Sequence, residues 1–325
     1  MEKRQGKVVI IATGGTIAGA GEAGKSTGYA SGELSVETLT RSVPGLENIA
    51  ELETVQLCNI NSDDVTEDIW TSLAELINRR AAEKDVLGFV ITHGTDTMEE
   101  TAFFLHMTVK TDKPVVLTGS MRPSTALSAD GAANLRGAVT AAASPESVGR
   151  GVTVFFSDRI YSARYATKSD TCSVTAMSGG MQGCIGTALD GEVRYFARVD
   201  RPHTVCSDFD ASDIKKRKKV SVVYFTACAD TDLLEYALEN SDGVVIAGAG
   251  MGEFSKAFSE KINESETPVV ISSRIGSGAV TDVCVSGENT AAAYDFSVPK
   301  AVILLRLALA SGKSMAEIRD IFKRY

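Results

Sequence analysis

Short apolar runs rich in β-branched residues recur along this chain of 325 residues. They lie at residues 8–11, 89–91, 115–117, 152–156, 220–225, 244–246 and 269–271. Such runs are typical of strands that are buried on both faces, as in parallel sheets. Helix-like segments lie between them, at residues 67–83, 97–109, 131–143, 233–240 and 300–310. The alternation predicts an α/β fold.

The alternation weakens over residues 197–219, where Arg201-Pro202-His203 and a cluster of aspartates and lysines interrupt it. A chain of this length also exceeds the usual size of one hydrophobic core. We therefore predict two unequal α/β domains with mainly parallel sheets. The N-terminal domain covers residues 1–196, a linker covers residues 197–219, and the smaller C-terminal domain covers residues 220–325.

The charge and the cysteine content exclude several classes of protein. A formal net charge of -9 would repel a phosphate backbone, so we expect no nucleic acid partner. The six cysteines form no C-x-x-C pair, and the chain has only three histidines. We therefore expect no metal site, and free thiols of the kind found in a reducing compartment.

The apolar runs are too short to anchor the chain in a membrane. The run at residues 8–12 is shorter than the core of a signal peptide, and the run at residues 301–305 ends at Arg306. We expect a soluble, cytoplasmic protein without membrane contact. A periplasmic location stays open for the case that a signal peptide has been removed.

A glycine-rich segment, residues 19–26, matches two nucleotide-binding patterns, G-x-G-x-x-G and G-x-x-x-x-G-K-[ST]. Both mechanisms place the glycines at a strand-to-helix turn, where backbone N–H groups face phosphate. Here the first strand is expected to end near Ala12, and residues 27–32 do not have a helical pattern. This context favours a glycine-rich loop, and a phosphate-loop NTPase is the alternative.

Hydroxyl residues and glycines cluster directly after the predicted strands, at residues 13–16, 92–97, 118–120 and 272–273. Sites in open parallel sheets form at the carboxyl ends of the strands, so several of these hydroxyls should meet in one crevice. Some of them have a structural explanation, because Thr97 and Asp64 each have capping-box spacing to a following glutamate.

Four residues near these predicted caps have no evident structural role: Ser62, Asp63, Thr95 and Asp96. A threonine hydroxyl becomes a nucleophile only when a base removes its proton, and a lysine can serve as that base. Composition does not identify the lysine, since most lysines are solvated surface groups.

Two specific signatures lie at these strand ends, residues 11–19 (IATGGTIAG) and residues 91–102 (ITHGTDTMEETA). With residues 114–123, 128–131, 166–168 and 201–204, they closely resemble the bacterial L-asparaginase family. The similarity is to its type II branch, which includes the glutaminase-asparaginases, and it covers nearly the whole chain. It implies an asparaginase/glutaminase-like fold.

The resemblance also implies residue roles. Thr16 looks like the nucleophile, with Tyr29 on a flexible loop as its partner. Thr95, Lys168 and Asp96 look like the second triad of the family. The implied reaction is two-step acyl transfer, in which Thr16 attacks the side-chain amide, ammonia leaves, and water hydrolyses the acyl-enzyme.

Substrate contacts follow from the same resemblance. Ser62 and Asp63 fall where the family binds the backbone of the amino acid, and Asp96 falls where it holds the α-ammonium. The carbonyl of Ser120 falls where the leaving amide is bound. Backbone N–H groups of the glycine-rich turns, including that of Thr95, would stabilise the oxyanion. No metal and no cofactor is implied.

Three positions depart from the family pattern. Asp63 stands where members usually carry Gln or Glu, and no cysteines match the disulfide of some periplasmic members. Val285 stands where a glutamate usually reaches the site of a neighbouring subunit. Three acids in or near the C-terminal loops could replace that glutamate: Glu253, which ranks first, Asp282, which ranks second, and Glu288.

The resemblance therefore predicts an L-asparaginase that forms homotetramers and accepts L-glutamine as a second substrate. A glutaminase-asparaginase with substantial glutamine activity is the related alternative. A phosphate-loop nucleotide-binding protein and a non-catalytic amino-acid-binding protein are alternatives of other classes. Release of ammonia from asparagine distinguishes these possibilities.

Overall fold

The computed structural model describes residues 5–25 and 35–325. The chain separates into two compact units, Met1–Ser207 and Asp208–Tyr325. The division falls inside the segment 197–219 that was expected to be a linker. Within the described part of the chain, no helix is both long and apolar enough to cross a membrane.

The first unit contains ten strands and four α-helices among its described residues. The strands are β1 (Lys7–Gly14), β2 (Glu51–Ile60), β3 (Val86–Thr92), β4 (Val115–Thr118), β5 (Val152–Phe156), β6 (Arg159–Ser162), β7 (Thr167–Lys168), β8 (Met177–Ser178), β9 (Gly186–Leu189) and β10 (Glu192–Tyr195). The helices are α1 (Val36–Arg41), α2 (Glu67–Ala81), α3 (Met98–Thr108) and α4 (Gly131–Ala143).

The main sheet of this unit has the strand order β10-β9-β6-β5-β4-β3-β1-β2. Strands β2, β1, β3, β4 and β5 are parallel. Ser157 and Asp158 then adopt positive φ angles of 48° and 64° in the turn to antiparallel β6. This reversal changes the sheet from parallel to antiparallel, as expected for a two-residue hairpin. The short pair β7 and β8 lies outside the main sheet.

The parallel strands end at a common level. Ala12 pairs with Thr92, and Thr92 pairs with Thr118. The residues after these three positions therefore leave the sheet side by side. Because β1 is almost completely buried, this part of the sheet is a fixed platform for the loops that follow.

Helices cover the sheet through apolar faces. In α2, Trp70, Leu73, Ala74 and Ile77 are buried at the spacing of one helical face. Helix α3 is buried on almost all sides, and Trp70 stacks on its Phe104 with ring centroids 5.0 Å apart. This packing fixes α3 relative to β3, and the loop between them carries Thr95 and Asp96.

The second unit repeats the α/β pattern on a smaller scale. Its four-stranded parallel sheet has the order β11-β12-β13-β14 among the described residues. The strands are β11 (Val220–Tyr224), β12 (Gly243–Gly248), β13 (Val269–Ser273) and β14 (Thr290–Ala292). The helices are α5 (Asp232–Asn240), α6 (Lys256–Asn263), α7 (Val298–Ala310) and α8 (Met315–Arg324). Phe209 packs near Tyr325 with ring centroids 5.5 Å apart, and both residues are buried.

The expected α/β fold with mainly parallel sheets is confirmed, and each of the seven apolar runs lies in a strand or overlaps one. The helix at residue 67 begins where it was expected, but its predicted cap, Asp64, was wrong. Helix α2 begins after Thr66, whose hydroxyl accepts a hydrogen bond from Ile69 N at 3.4 Å, and Asp64 instead lies in the 3-10 turn Ser62–Asp64. The turn tightens the chain between β2 and α2, so the cap falls two residues later than Asp64.

Candidate active site

Glycines allow three strand-end loops to pack closely on one another. A Cβ atom on Gly15 would lie 2.4 Å from the amide nitrogen of Gly94, and Gly15 has a φ of 81°. A Cβ atom on Gly94 would lie 2.7 Å from Ser62 Oγ. Any larger residue at either position would separate the loops. The loops after β1, β2 and β3 therefore pack directly on one another.

Thr16 follows the first of these glycines and is buried in the 3-10 turn Thr16–Ala18. The next residue, Ile17, approaches Gly131, where a Cβ atom would lie 3.1 Å from Ile17 Cγ1. The same atom would lie 3.5 Å from Ser120 Cβ. The turn that carries Thr16 therefore lies beside the loop after β4, which carries Ser120.

Lys168 lies between Thr95 and Asp96. Its Nζ donates to Thr95 Oγ1 at 3.0 Å and to Asp96 Oδ1 at 2.5 Å. The lysine side chain is 15% exposed and that of Asp96 is 69% exposed, while Thr95 is buried. A buried hydroxyl, a mostly buried amine and a solvent-facing carboxylate are thus joined in one cluster. This arrangement can relay a proton to or from the hydroxyl and can present a negative charge at its surface.

Glu99 holds the backbone next to Lys168. Its Oε1 accepts hydrogen bonds from Thr167 Oγ1 at 2.9 Å and from Lys168 N at 3.3 Å. Glu99 lies in the first turn of α3 and is buried. The short strand β7 is therefore attached to the same helix that fixes Thr95 and Asp96.

Asp130 organises the loop after β4. Its two carboxylate oxygens accept from Met121 N and Arg122 N, both at 3.0 Å. Asn134 donates to Asp130 Oδ2 and to the carbonyl of Gly119. Ser120 lies in the turn that these contacts fix, and none of the described residues donates to its carbonyl oxygen. That carbonyl can accept a hydrogen bond from a ligand.

The glycine-rich residues 19–25 have a geometry unlike that of a phosphate-binding loop. Gly21 N donates to Thr125 Oγ1 and Gly24 N donates to the Thr125 carbonyl. These N–H groups are therefore already hydrogen-bonded within the protein. The segment also follows the 3-10 turn Thr16–Ala18, whereas a phosphate-binding loop connects a strand directly to an α-helix.

The chain matches two family models. The family described as "Asparaginase, N-terminal" matches residues 7–201, and the "Glutaminase/Asparaginase C-terminal domain" matches residues 219–322. Together they account for most of the chain. The chain belongs to the asparaginase family.

Named relatives support this assignment. The L-asparaginase 2 of Escherichia coli (strain K12) is 41% identical, over 98% of this chain and 93% of the relative. The glutaminase-asparaginase of Acinetobacter glutaminasificans is 37% identical, over 98% of this chain and 99% of the relative. A crystal structure of a protein described as a probable cytoplasmic L-asparaginase, from Campylobacter jejuni, superposes with a TM-score of 0.93 at 38% identity. It covers 98% of this chain and 100% of that one.

The structure brings most of the predicted N-terminal site residues of this asparaginase-family chain to one edge of the sheet. Thr16, Ser62, Thr95 and Ser120 follow β1, β2, β3 and β4, which are neighbours in the sheet. Asp63 is exposed beside Ser62. Tyr29 lies outside the described residues.

Thr97 has a different role from the one expected. It occupies the N-cap position of α3, but its side chain makes no capping hydrogen bond. Instead its hydroxyl donates to the Ser62 carbonyl at 2.6 Å. The capping-box prediction was therefore wrong, because the buried start of α3 packs against the loop after β2 and the hydroxyl joins the two.

The candidate acids of the second unit differ in their contacts. Asp282 Oδ2 accepts from Tyr294 Oη at 2.7 Å. The Glu253 side chain is exposed and forms no hydrogen bond or ion pair with the described residues. Glu253 lines a cavity of about 230 Å³ together with Cys284 and Val285. Of these two acids, Glu253 has the carboxylate that is available to another molecule.

Sequence reasoning assigned no role to Glu99, Asp130 or His93. Glu99 and Asp130 lie inside quoted signatures, so their positions were visible but their partners were not. His93, which lies between Thr92 and Gly94 in the sequence, is almost fully buried. Burial lowers its pKa from 6.5 to about 4, although the hydrogen bond to the Gly94 carbonyl acts in the opposite direction.

We predict that His93 makes the fold weaker in mild acid. Between pH 6.5 and about pH 4 the unfolded chain binds a proton at this residue and the folded chain does not. The free energy of unfolding should therefore fall by about 3 kcal/mol from this group as the pH is lowered through that window.

Urea unfolding of the wild type and of His93→Asn, measured at several pH values between 7 and 4, checks this. The variant should lose less stability across the window, because it lacks the titrating ring. Identical pH dependence in both proteins would contradict the assignment.

Proposed function

We propose that this chain hydrolyses the side-chain amide of L-asparagine to L-aspartate and ammonia. Membership of the asparaginase family and relatives named L-asparaginase support this activity. The structural observation that carries the proposal is the contact of Lys168 Nζ with both Thr95 Oγ1 and Asp96 Oδ1 at the carboxyl edge of the sheet.

In this proposal Thr16 is the nucleophile. Its hydroxyl oxygen attacks the amide carbon, its proton is passed to the leaving nitrogen, and ammonia departs to leave an aspartyl ester on Thr16. Water then attacks the ester, and the alcohol oxygen of Thr16 regains a proton as aspartate is released. Thr95 and Lys168 move the protons, and Tyr29 is proposed as the partner of Thr16. Water and one amide enter, and one acid and one ammonia leave.

The proposed binding mode matches charges of opposite sign. The exposed carboxylate of Asp96 would hold the α-ammonium of the substrate, and Ser62 with Asp63 would bind its amino-acid backbone. The Ser120 carbonyl, which accepts from none of the described residues, would accept a hydrogen bond from the leaving amide nitrogen. Backbone N–H groups of the packed glycine turns would stabilise the oxyanion.

L-Glutamine is the proposed second substrate. The family model of the second unit includes glutaminases in its description, and the Acinetobacter relative is named glutaminase-asparaginase. An ammonia-release assay with L-asparagine, L-glutamine and D-asparagine tests substrate choice directly. Absence of ammonia from all three amides would overturn the proposed function, and a nucleotide retained by the purified protein would favour the phosphate-loop alternative.

The cellular location is proposed to be the cytoplasm. All six cysteines are free, which suits a reducing compartment. Cell fractionation followed by the ammonia assay tests this, and activity confined to a periplasmic fraction would contradict it.

We predict that Thr16→Ala lowers kcat by several orders of magnitude, because no other group would carry the acyl intermediate. Thr16→Ser keeps a hydroxyl and should retain measurable turnover. Rapid quenching of the wild type with L-asparagine, followed by peptide mass spectrometry, should place an aspartyl group on the peptide that contains Thr16. Near-normal turnover by Thr16→Ala would remove Thr16 as the nucleophile.

Lys168→Met should lower kcat by roughly a hundredfold or more, since the side chain keeps its length but can no longer transfer a proton. Lys113→Met is the matched control, because Lys113 Nζ donates to the Glu83 carbonyl at 2.5 Å and precedes β4 at the opposite end of the strands. Steady-state kinetics should show near wild-type kcat for the control. A mild effect of Lys168→Met would leave the Lys168 cluster without a catalytic role.

A homotetramer is proposed, in which an acid of the second unit reaches a neighbouring subunit's site. Glu253→Gln should then lower kcat/KM by roughly ten- to a hundredfold, because this is the effect expected when a hydrogen bond to a charged group is lost. Asp282→Asn and Glu288→Gln serve as comparisons, and Asp282 is already engaged by Tyr294. Light scattering must show the same oligomer for each variant. If all three variants form intact oligomers and keep the wild-type kcat/KM, none of these acids completes the site of a neighbouring subunit.

A further inference from the structure

A continuous line of buried polar groups runs from α2 to the loop that carries Thr95. Trp70 Nε1 donates to Thr101 Oγ1 at 2.8 Å. Thr101 Oγ1 lies 2.9 Å from His93 Nε2, and His93 Nδ1 lies 2.7 Å from the Gly94 carbonyl oxygen. Thr101 is fully buried, and His93 and Trp70 are almost fully buried, so water cannot replace these partners.

The chemistry of the groups fixes the direction of every hydrogen bond. A carbonyl oxygen only accepts, so His93 Nδ1 carries a proton and donates to Gly94. In the neutral ring Nε2 is then an acceptor, and the Thr101 hydroxyl is its donor. The same hydroxyl oxygen accepts from the indole N–H of Trp70, which only donates. Each of these groups has the partner that its chemistry requires.

The last bond acts on the peptide group between Gly94 and Thr95. The described residues contain no cis peptide bond, so the carbonyl of Gly94 and the N–H of Thr95 point in opposite directions in one plane. Holding the carbonyl against His93 therefore directs the Thr95 N–H away from the ring. Among the described residues, no group accepts a hydrogen bond from this N–H.

The ring is not needed to hold its own backbone. His93 N donates to the Thr118 carbonyl at 2.9 Å. A Cβ atom on Gly119 would lie 2.4 Å from the His93 carbonyl oxygen, so β3 and β4 already enclose this residue. The imidazole thus acts on the next peptide rather than on its own position.

We propose that His93 is a positioning residue, held in one tautomer by Thr101 and Trp70, that orients the Gly94–Thr95 peptide so that the Thr95 N–H binds the oxyanion of the amide substrate. This rests on the proposed amidohydrolase function. A hydrogen bond to the carbonyl also polarises the peptide and strengthens its N–H as a donor. The effect should appear in the transition state, where the oxyanion carries its charge, and not in substrate binding.

The test uses two pairs of variants in the full-length protein. Thr101→Val removes the hydroxyl with almost no change in shape, and Thr101→Ser keeps it. His93→Leu removes both ring nitrogens, and His93→Asn keeps an N–H donor close to the position of Nδ1. Loss of one oxyanion donor costs about a hundred- to a thousandfold in kcat, so a misdirected donor should cost about tenfold or more.

The expected result is a fall of about tenfold or more in kcat for Thr101→Val and His93→Leu, with KM changed by less than about twofold. Thr101→Ser and His93→Asn should restore most of kcat. A purely structural role would instead lower the melting temperature and change kcat and KM together, without rescue by the conservative partners. That pattern, or equal kcat in all four variants, overturns the proposal.

Trp70 is the only tryptophan in the chain, so its fluorescence reports the line of hydrogen bonds separately from activity. Thr101→Val removes the acceptor of the indole N–H and should shift the emission to shorter wavelength, while Thr101→Ser should not. A shifted emission with unchanged kcat overturns the proposal, and so does an unshifted emission. Failure of the proposed function itself would be seen in the wild type, as absence of ammonia from L-asparagine and L-glutamine.

Discussion

The arrangement of the candidate site depends on close contact between the strand-end loops at two glycines. Gly15 meets Gly94, and Gly94 meets Ser62, at distances that exclude a Cβ atom. These contacts are possible only because parallel strands in register end at the same level. A side chain at either glycine would weaken this packing and would also move the hydroxyls of Thr16, Ser62 and Thr95 apart. Thr16 follows Gly15, Thr95 follows Gly94, and Ser62 takes part in the contact itself.

A second layer of contacts fixes groups that the strands do not carry themselves. Glu99 attaches β7 to the first turn of α3, and Asp130 attaches the loop after β4 to the start of α4. Both are carboxylates that accept two backbone or hydroxyl donors, which makes them strong and directional anchors. The reactive groups therefore lie on loops, but these loops are held by buried helices and strands.

Local patterns predicted seven of the nine parallel strands in the described part of the chain, because most buried strands are continuous apolar runs that can be recognised without their partners. Strand β14 was missed because it has only three residues, Thr290–Ala292. Strand β2 was missed, since it lies at the end of the sheet and its ten residues have no fully buried position. Hydroxyls after strands were visible in the sequence for the same local reason. Lys168 was not, because its contact with Thr95 spans 73 residues and its strand is only two residues long. Only the family resemblance pointed to it.

Helix caps were the least predictable feature. Spacing alone predicted that the Thr97 hydroxyl forms a capping hydrogen bond with its own helix, whereas tertiary packing directs the hydroxyl to the Ser62 carbonyl. Spacing also placed the cap of α2 at Asp64, whereas the 3-10 turn Ser62–Asp64 moves the cap to Thr66. In both cases a polar side chain had several partners within reach, and the choice was made by parts of the chain that are distant in sequence.

The attachment of β7 to Glu99 has a consequence for entropy. A free lysine side chain loses up to about 2 kcal/mol of rotational freedom when its four-carbon stem is ordered. Here the backbone of Lys168 is bonded to Glu99, its stem is largely buried, and its amine has two partners. That freedom is therefore lost once, during folding, and a molecule that enters the crevice meets an amine whose position does not have to be ordered again.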